Sequence, residues 1–141
     1  MARRFLLDTS ALLAHVRKEQ GWAPVAALFE ESDCEILGST VSLTELARRL
    51  RELGASVGEA RSMVEQYQDL LDEVVPVDVR VALAAFDIGC ETPERLPLAD
   101  ALIAASARER AACLVHRDRH MVAIPAGVLQ QLDLARESDP E

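Results

Sequence analysis

The chain has little of several residue types that mark common classes of protein. Aromatic residues make up 4% of the 141 residues, and Lys18 is the one lysine. No apolar run reaches the length of about 20 residues that a transmembrane helix needs. The short apolar start Phe5-Leu6-Leu7 is interrupted by Asp8, which argues against a signal peptide. We therefore expect a soluble, cytoplasmic protein whose core is built mainly from alanine, leucine and valine.

Cysteine and glycine do not occur in the patterns that build common sites. Cys34, Cys90 and Cys113 are odd in number and show no Cys-x-x-Cys spacing. Free thiols in a reducing compartment fit this pattern better than disulfides or a zinc site. The chain also lacks a glycine-rich phosphate loop and a Gly-x-Ser-x-Gly motif. A nucleotide triphosphatase and a serine hydrolase therefore have no support.

Positive charge is also in short supply, because 24 acidic residues outweigh 15 basic ones and give a formal net charge of −9. A protein that holds nucleic acid by bulk electrostatics carries the opposite charge. An enzyme whose bound metal neutralises its own carboxylates remains compatible with this balance. A length of 141 residues is enough to bury one core without disulfides.

Apolar runs and helical patterns alternate along the chain. We predict strands at 4–8, 35–39, 74–77 and 113–115, with a further strand candidate at 122–124. We predict helices at 10–18, 23–31, 42–53, 57–71, 79–90 and 98–110, and a last short helix or strand at 128–134. This alternation predicts a three-layer α/β domain with a mainly parallel central sheet.

Local patterns predict how three of these helices begin or pack. Thr9 or Ser10 is available to cap the first helix, which leaves Asp8 spare. Ser42-x-x-Glu45 has the form of a capping box at the start of the helix at 42–53. In the helix at 79–90, the apolar stripe consists of Val79, Leu83, Phe86 and Cys90.

Four carboxylates stand out beside apolar sequence, and each also has an ordinary structural explanation. Asp8 follows the first strand and is a possible helix cap, Glu45 completes the capping box, and Asp118 lies in a polar turn after a strand. Asp100 is harder to explain, because it is the only charge in the segment 98–107. Burial without a partner would cost several kcal/mol. Its place near a helix start offsets only about 0.3–1 kcal/mol.

The positions of these carboxylates predict a shared site. Residues that leave the carboxyl ends of parallel strands meet at one edge of the sheet. Three of the four acids follow apolar strands. Asp100 does not, and we include it because burying its charge without a partner would be unfavourable. Acidic oxygens gathered without enough cations favour a hard divalent ion such as Mg²⁺ or Mn²⁺. We therefore expect Asp8, Glu45, Asp100 and Asp118 to converge on one metal-binding pocket.

Four segments, in order along the chain, resemble the PIN domain family and in particular the VapC-type toxin ribonucleases. They are Leu7-Asp8-Thr9-Ser10-Ala11-Leu12, Leu43-Thr44-Glu45-Leu46, the segment from Pro97 to Ala105, and Leu114-Val115-His116-Arg117-Asp118-Arg119-His120. The resemblance spans residues 5–132. The chain departs from the family pattern at His116, where Thr or Ser is usual, and at Met121, where Phe is usual.

The resemblance implies a fold, an activity and partners. Residues 1–135 would form a single PIN-like domain, followed by a disordered acidic tail at 136–141. The activity would be that of a type II toxin, an endoribonuclease that hydrolyses RNA through a water activated by one or two Mg²⁺ or Mn²⁺ ions. It would act as a homodimer with a cognate antitoxin protein.

The resemblance also assigns roles to residues. Asp8, Glu45, Asp100 and Asp118 would be the catalytic and metal-binding set. Thr9 and Ser10 would give polar support and are candidate substrate contacts. From the chemistry of phosphate binding, Arg48, Arg117 and Arg119 are further candidates, with surface solvation as the alternative role for each. His116 and His120 have the spacing His-x-x-x-His but lie in a turn-like stretch without a clear helix, so we interpret them and His15 as surface or RNA-facing residues and do not expect a zinc site.

Two alternatives to the nuclease remain at this stage. One is a PIN-fold partner protein with weak or no nuclease activity that acts through a DNA-binding antitoxin. The other is a small phosphatase, although the Asp-x-Asp nucleophile motif is missing after Asp8. We expect a second copy to pack on surface from the helices at 42–53 and 57–71. The net charge of −9 favours an antitoxin segment that carries Arg or Lys.

Overall fold

The protein, as described by a computed structural model over residues 2–137, 139 and 140, alternates strands with helices. The strands are β1 (Arg3–Leu7), β2 (Cys34–Ser39), β3 (Glu73–Val75), β4 (Cys113–His116) and β5 (Gln131–Asp133). The helices are α1 (Thr9–Arg17), α2 (Trp22–Glu30), α3 (Thr40–Glu52), α4 (Val57–Leu70), α5 (Val79–Glu91), α6 (Leu98–Glu109) and α7 (Arg119–Val122). A 3₁₀ turn, Leu134–Arg136, follows β5.

The five strands form one parallel sheet in the order β3-β2-β1-β4-β5. β1 lies at the centre, so Phe5 pairs with Ile36 on one side and with Cys113 on the other. The chain therefore reverses its direction of winding next to β1, and a cleft opens at the carboxyl end of a parallel sheet at such a point. The predicted α/β fold with a parallel central sheet is confirmed.

Helices cover both faces of the sheet, and each face has its own apolar core. Leu6 packs with side chains of α5 and α6 on one face, whereas the next residue, Leu7, packs with side chains of α1, α3 and α4 on the other. Neighbouring residues of a strand point to opposite faces, which explains how one short strand serves both cores. Strands buried on both faces read as continuous apolar runs, as Phe5-Leu6-Leu7 does.

The start of α3 differs from its prediction. Its N-cap is Ser39, whose side chain accepts a hydrogen bond from the backbone N–H of Val41. Ser42 is buried inside the helix, so the predicted capping box with Glu45 was wrong. A capping box does occur at α4, where Ser56 and Glu59 each accept a hydrogen bond from the other's backbone N–H.

The apolar stripe predicted for α5 is on the outside of the molecule. Val79, Leu83 and Phe86 are 74%, 62% and 70% exposed, and Cys90 is exposed as well. The face that packs against the sheet and α6 consists of Val81, Ala84, Ala85 and Ile88. The helix is thus apolar on two sides, and the described part of the chain covers only one of them.

Two further segments differ from, or add to, the sequence expectations. The strand candidate at 122–124 is wrong, because Val122 ends the short helix α7. Within the expected disordered tail, the Asp139 carboxylate accepts hydrogen bonds from the backbone N–H groups of Gly21 and Ala23 at the start of α2. Ser138 and Glu141 lie outside the described residues. In the described part of the chain, each helix is too short or too polar to cross a bilayer.

Candidate functional site

One pocket gathers the four carboxylates that the sequence singles out. Asp8 follows β1, Glu45 lies in the helix after β2, and Asp118 follows β4, so all three belong to the carboxyl edge of the sheet. Asp100 reaches the same place from the first turn of α6. The four side chains line a cavity of about 370 Å³.

Asp8 is the most deeply buried member of this group, with 2% of its surface exposed. Its Oδ1 accepts hydrogen bonds from the Ser10 hydroxyl at 2.7 Å and from the Ala11 backbone N–H at 2.8 Å. Asp8 is therefore the N-cap of α1, which corrects the expectation that Thr9 or Ser10 would take that position. Both bonds use Oδ1, and no donor among the described residues contacts Oδ2.

Burial and nearby like charge raise the pKa values of two of the carboxylates. Loss of solvent raises the pKa of Asp8 to about 7, against the lowering effect of its two hydrogen bonds, and the charges of Asp118 and Asp100 raise it further. The pKa of Asp100 rises to about 6, mainly through burial and then through Asp118 and Glu45. His120 acts in the opposite direction on Asp100. Asp8 thus titrates near neutral pH and Asp100 titrates about one pH unit lower, so a bound cation would favour the ionised form of both.

Hydroxyl groups hold Glu45 and Asp8 in place. The Thr9 hydroxyl donates to Glu45 Oε1 at 2.6 Å and lies 3.2 Å from the Ser42 hydroxyl. Ser10 donates to Asp8 and accepts a hydrogen bond from the backbone N–H of Arg117. Thr9 and Ser10 line the pocket, but their hydroxyl protons are directed to carboxylates of the protein.

His116, which departs from the family pattern, supports the backbone of Asp118. The Asp118 N–H donates to His116 Nδ1 at 3.1 Å, which places the ring proton on Nε2. Nε2 donates to Gln131 Oε1 at 2.8 Å, and Gln131 donates in turn to the Ile124 carbonyl at 3.0 Å. This buried relay fixes the turn that carries Asp118 with a ring in place of the usual hydroxyl.

His120 is a site residue that sequence reasoning missed. Its Nδ1 lies 3.2 Å from Asp118 Oδ1 and 3.5 Å from Asp100 Oδ2. The sequence interpretation placed this histidine on the surface, and its side chain is indeed 46% exposed. The local signal was Asp118 as the N-cap of α7, whose side chain accepts a hydrogen bond from the His120 backbone N–H, whereas the proximity of His120 to Asp100 is a tertiary contact.

The predicted arginines differ in their access to the pocket. Arg48 lines it, together with Arg49, which pairs with Glu52 at 2.9 Å. Arg117 is instead bound by the Glu19 carboxylate and the Gln20 carbonyl. Neither Arg117 nor Arg119 is among the lining residues. Arg49 and Glu52 were missed, although they follow Glu45 at helical spacings of four and seven.

The donor set suits a hard divalent cation. It offers carboxylate oxygens from four segments, and one oxygen of the buried Asp8 has no partner among the described residues. An oxygen of Asp100 and one of Asp118 lie within 4.8 Å of each other, with His120 Nδ1 in the same cluster. Mg²⁺ and Mn²⁺ favour such oxygen-rich sites.

A family model supplies the identity that this geometry suggests. Residues 5–127 match the model of the PIN domain. The chain belongs to the PIN domain family. No curated protein matches this PIN domain in sequence.

Solved structures with the same fold come from toxin–antitoxin complexes. The PIN domain is similar to a chain of VapBC2 from Rickettsia felis bound to a promoter DNA fragment, with a TM-score of 0.74 and 16% identity over 92% of this chain and 98% of that one. For DNA-bound VapBC from Salmonella typhimurium the TM-score is 0.71, with 21% identity over 95% of this chain and 99% of that one. For VapBC-5 from Mycobacterium tuberculosis the TM-score is 0.61, with 24% identity over 92% of this chain and 98% of that one. At these identities the likeness concerns the fold.

Proposed function

We propose that this PIN domain is a metal-dependent endoribonuclease, the toxin of a type II toxin–antitoxin pair. The observation that carries the proposal is the convergence of Asp8, Glu45, Asp100 and Asp118 on one cavity. Membership in the PIN family and a shared fold with VapBC proteins support the same conclusion.

The four carboxylates would hold one or two Mg²⁺ or Mn²⁺ ions. A bound ion of this kind lowers the pKa of water and neutralises charge on a scissile phosphate. A bound ion would favour the ionised forms of Asp8 and Asp100, against the burial that raises their pKa values. Thr9 and Ser10 position carboxylates through their hydroxyl groups. Arg48, at the wall of the cavity, is the arginine best placed to bind an RNA phosphate.

A divalent ion would also offset the repulsion between the acidic cavity and the RNA substrate. The cavity wall contains five carboxylates, from Asp8, Glu45, Glu52, Asp100 and Asp118, and two arginines, Arg48 and Arg49. RNA brings further negative charge to this wall. Without a cation, the approach of a phosphate would be repelled, so we expect RNA cleavage to require added metal.

The test is cleavage of RNA and DNA oligonucleotides of equal sequence by the purified protein with Mg²⁺ or Mn²⁺. Loss of a residue that merely supports a ligand costs about 10–100-fold, so Asp8→Asn and Asp100→Asn should each reduce RNA cleavage at least about a hundredfold. Asp69→Asn, an exposed carboxylate on α4, is the matched control and should keep the wild-type rate. Wild-type rates in Asp8→Asn and Asp100→Asn would refute the proposed site. A wild-type protein that cleaves neither nucleic acid would favour the non-enzymatic alternative.

We further propose that the protein acts in the cytoplasm, where an antitoxin inhibits this site through a basic segment. The net charge of −9 and the acidic cavity favour a partner that places Arg or Lys among the carboxylates. Three free cysteines fit a reducing compartment. Inhibition by the product of the neighbouring gene should weaken when its basic residues are neutralised. Equal inhibition by the neutralised product would remove the electrostatic part of the proposal.

A further inference from the structure

His120 projects into the acidic cluster from the exposed helix α7. Its Nδ1 lies 3.2 Å from Asp118 Oδ1 and 3.5 Å from Asp100 Oδ2, and its backbone N–H donates to Asp118 Oδ1 at 2.9 Å. The ring thus contacts two carboxylates that come from different elements, α6 and the turn after β4. A histidine with only a surface role would not require contacts with these two carboxylates.

The two distances from His120 Nδ1 to the carboxylate oxygens match those between ligands around one ion. With metal–ligand bonds of about 2.1 Å, neighbouring ligand atoms of an octahedral ion lie about 3.0 Å apart and opposite ones about 4.2 Å apart. The separations of 3.2 and 3.5 Å fall within this interval, and all three ligand atoms lie within 4.8 Å of one another. No large movement of α7 is needed to bring the nitrogen and the two oxygens onto the same ion.

We propose that His120 is a nitrogen ligand of the metal ion held by Asp100 and Asp118, and that it makes the site prefer a first-row transition ion such as Mn²⁺ over Mg²⁺. This inference rests on the proposed function, because it presumes that the carboxylates bind metal. Mg²⁺ takes oxygen ligands almost exclusively, whereas first-row transition ions gain from imidazole. His120 therefore adds affinity for Mn²⁺ and little for Mg²⁺.

The other histidines make this assignment specific. Both ring nitrogens of His116 are engaged, one by the Asp118 N–H and the other by Gln131. His15 lies on α1, where its Nδ1 contacts the Tyr67 hydroxyl. A histidine nitrogen detected at the metal can thus be assigned to His120 by one substitution.

The experiment measures Mn²⁺ bound to the purified protein by electron spin echo envelope modulation, which detects nitrogen bonded to the ion. Calorimetry gives the Mn²⁺ and Mg²⁺ affinities of wild type, His120→Gln and Val122→Ala. The last is an exposed residue of the same helix and serves as the control. We expect histidine nitrogen modulation in wild type and in the control, and its loss in His120→Gln. The Mn²⁺ affinity of His120→Gln should fall about tenfold, while its Mg²⁺ affinity changes less than about twofold.

Contrary outcomes separate this inference from the proposed function. Mn²⁺ that binds wild type, is lost in Asp100→Asn and yet shows no histidine nitrogen would overturn the role of His120 alone. Modulation that persists in His120→Gln would do the same. Wild-type protein that binds neither ion would overturn both the ligand and the proposed metal site.

Discussion

At the scale of single residues, the cost of ionising Asp8 is the feature with the widest consequences. The carboxyl group is almost fully buried, caps a helix through Oδ1, and has a pKa of about 7. Capping requires only an acceptor oxygen, whereas metal binding requires the negative charge. Stability and proposed activity therefore place different demands on the same side chain.

This difference predicts how the metal-free protein responds to pH. The folded pKa of Asp8 lies above the unfolded value, so between about pH 4 and pH 7 the unfolded chain releases a proton that the folded chain keeps. Stability therefore falls as pH rises through this interval. Asp8→Asn keeps the cap and removes the charge. The Tm of Asp8→Asn should match that of wild type near pH 4 and exceed it by about 5 °C or more at pH 8.

The measurement is thermal unfolding in chelator across this pH range, with Asp69→Asn as the control for removing an exposed charge. Added Mn²⁺ should then raise the Tm of wild type but not that of Asp8→Asn, since a ligand stabilises only the form that binds it. A lower Tm for Asp8→Asn at pH 8 would show that the carboxylate is a structural group.

At the scale of secondary structure, the helices show which features the sequence could predict. The existence and order of α1 to α6 follow from apolar periodicity. The caps do not, because Asp8, Thr9 and Ser10 can all accept a hydrogen bond from a helix start, and so can Ser39 and Ser42. The choice among them is made by where the preceding strand ends, which depends on pairing with strands distant in sequence.

The difference between the predicted and the observed buried face of α5 has a related cause. Leu83 and Phe86 carry more apolar area than Ala84 and Ala85, so a hydrophobic pattern assigns the larger residues to the core. The close packing of α5 against α6 instead favours alanines, which allow the helices to approach. Periodicity identifies two apolar faces here and cannot choose between them. His120 was missed for a similar reason, because proximity to Asp100 is a tertiary contact.

The capping box of α4 gives a prediction at this scale. Ser56→Ala removes the acceptor for the Glu59 N–H and should lower the Tm by about 3 °C. Ser62→Ala is the same chemical change on an exposed position inside the same helix, where alanine is the better helix former. It should leave the Tm unchanged or raise it slightly. Equal losses in the two variants would contradict the capping geometry.

At the scale of the whole molecule, the uncovered stripe Val79, Leu83 and Phe86 favours self-association. Three large apolar side chains along one helix face suit an isologous contact with a second copy. The sequence had instead favoured surface from the helices at 42–53 and 57–71. The stripe on α5 is the more exposed of the two, so we propose it as the homodimer interface.

Light scattering of the purified protein should give about twice 15.4 kDa. Phe86→Glu places a charge in the stripe and should yield a monomer, whereas Val57→Glu, an equally drastic change at an exposed residue of α4, should remain a dimer. The reverse result would place the interface on the α3 and α4 side. A wild-type monomer at micromolar concentration would refute the dimer.

The central position of β1 also determines when during translation the site can form. β1 leaves the ribosome before the other strands, but one of its two neighbours is β4. Phe5 therefore cannot pair on that side until Cys113 has been synthesised. A nascent chain that ends before Asp118 has neither the last acid nor the relay through Gln131 that supports it. Pairing between such distant segments also slows folding. Chains of the proposed nuclease that end before Asp118 should thus stay inactive until synthesis has passed this residue.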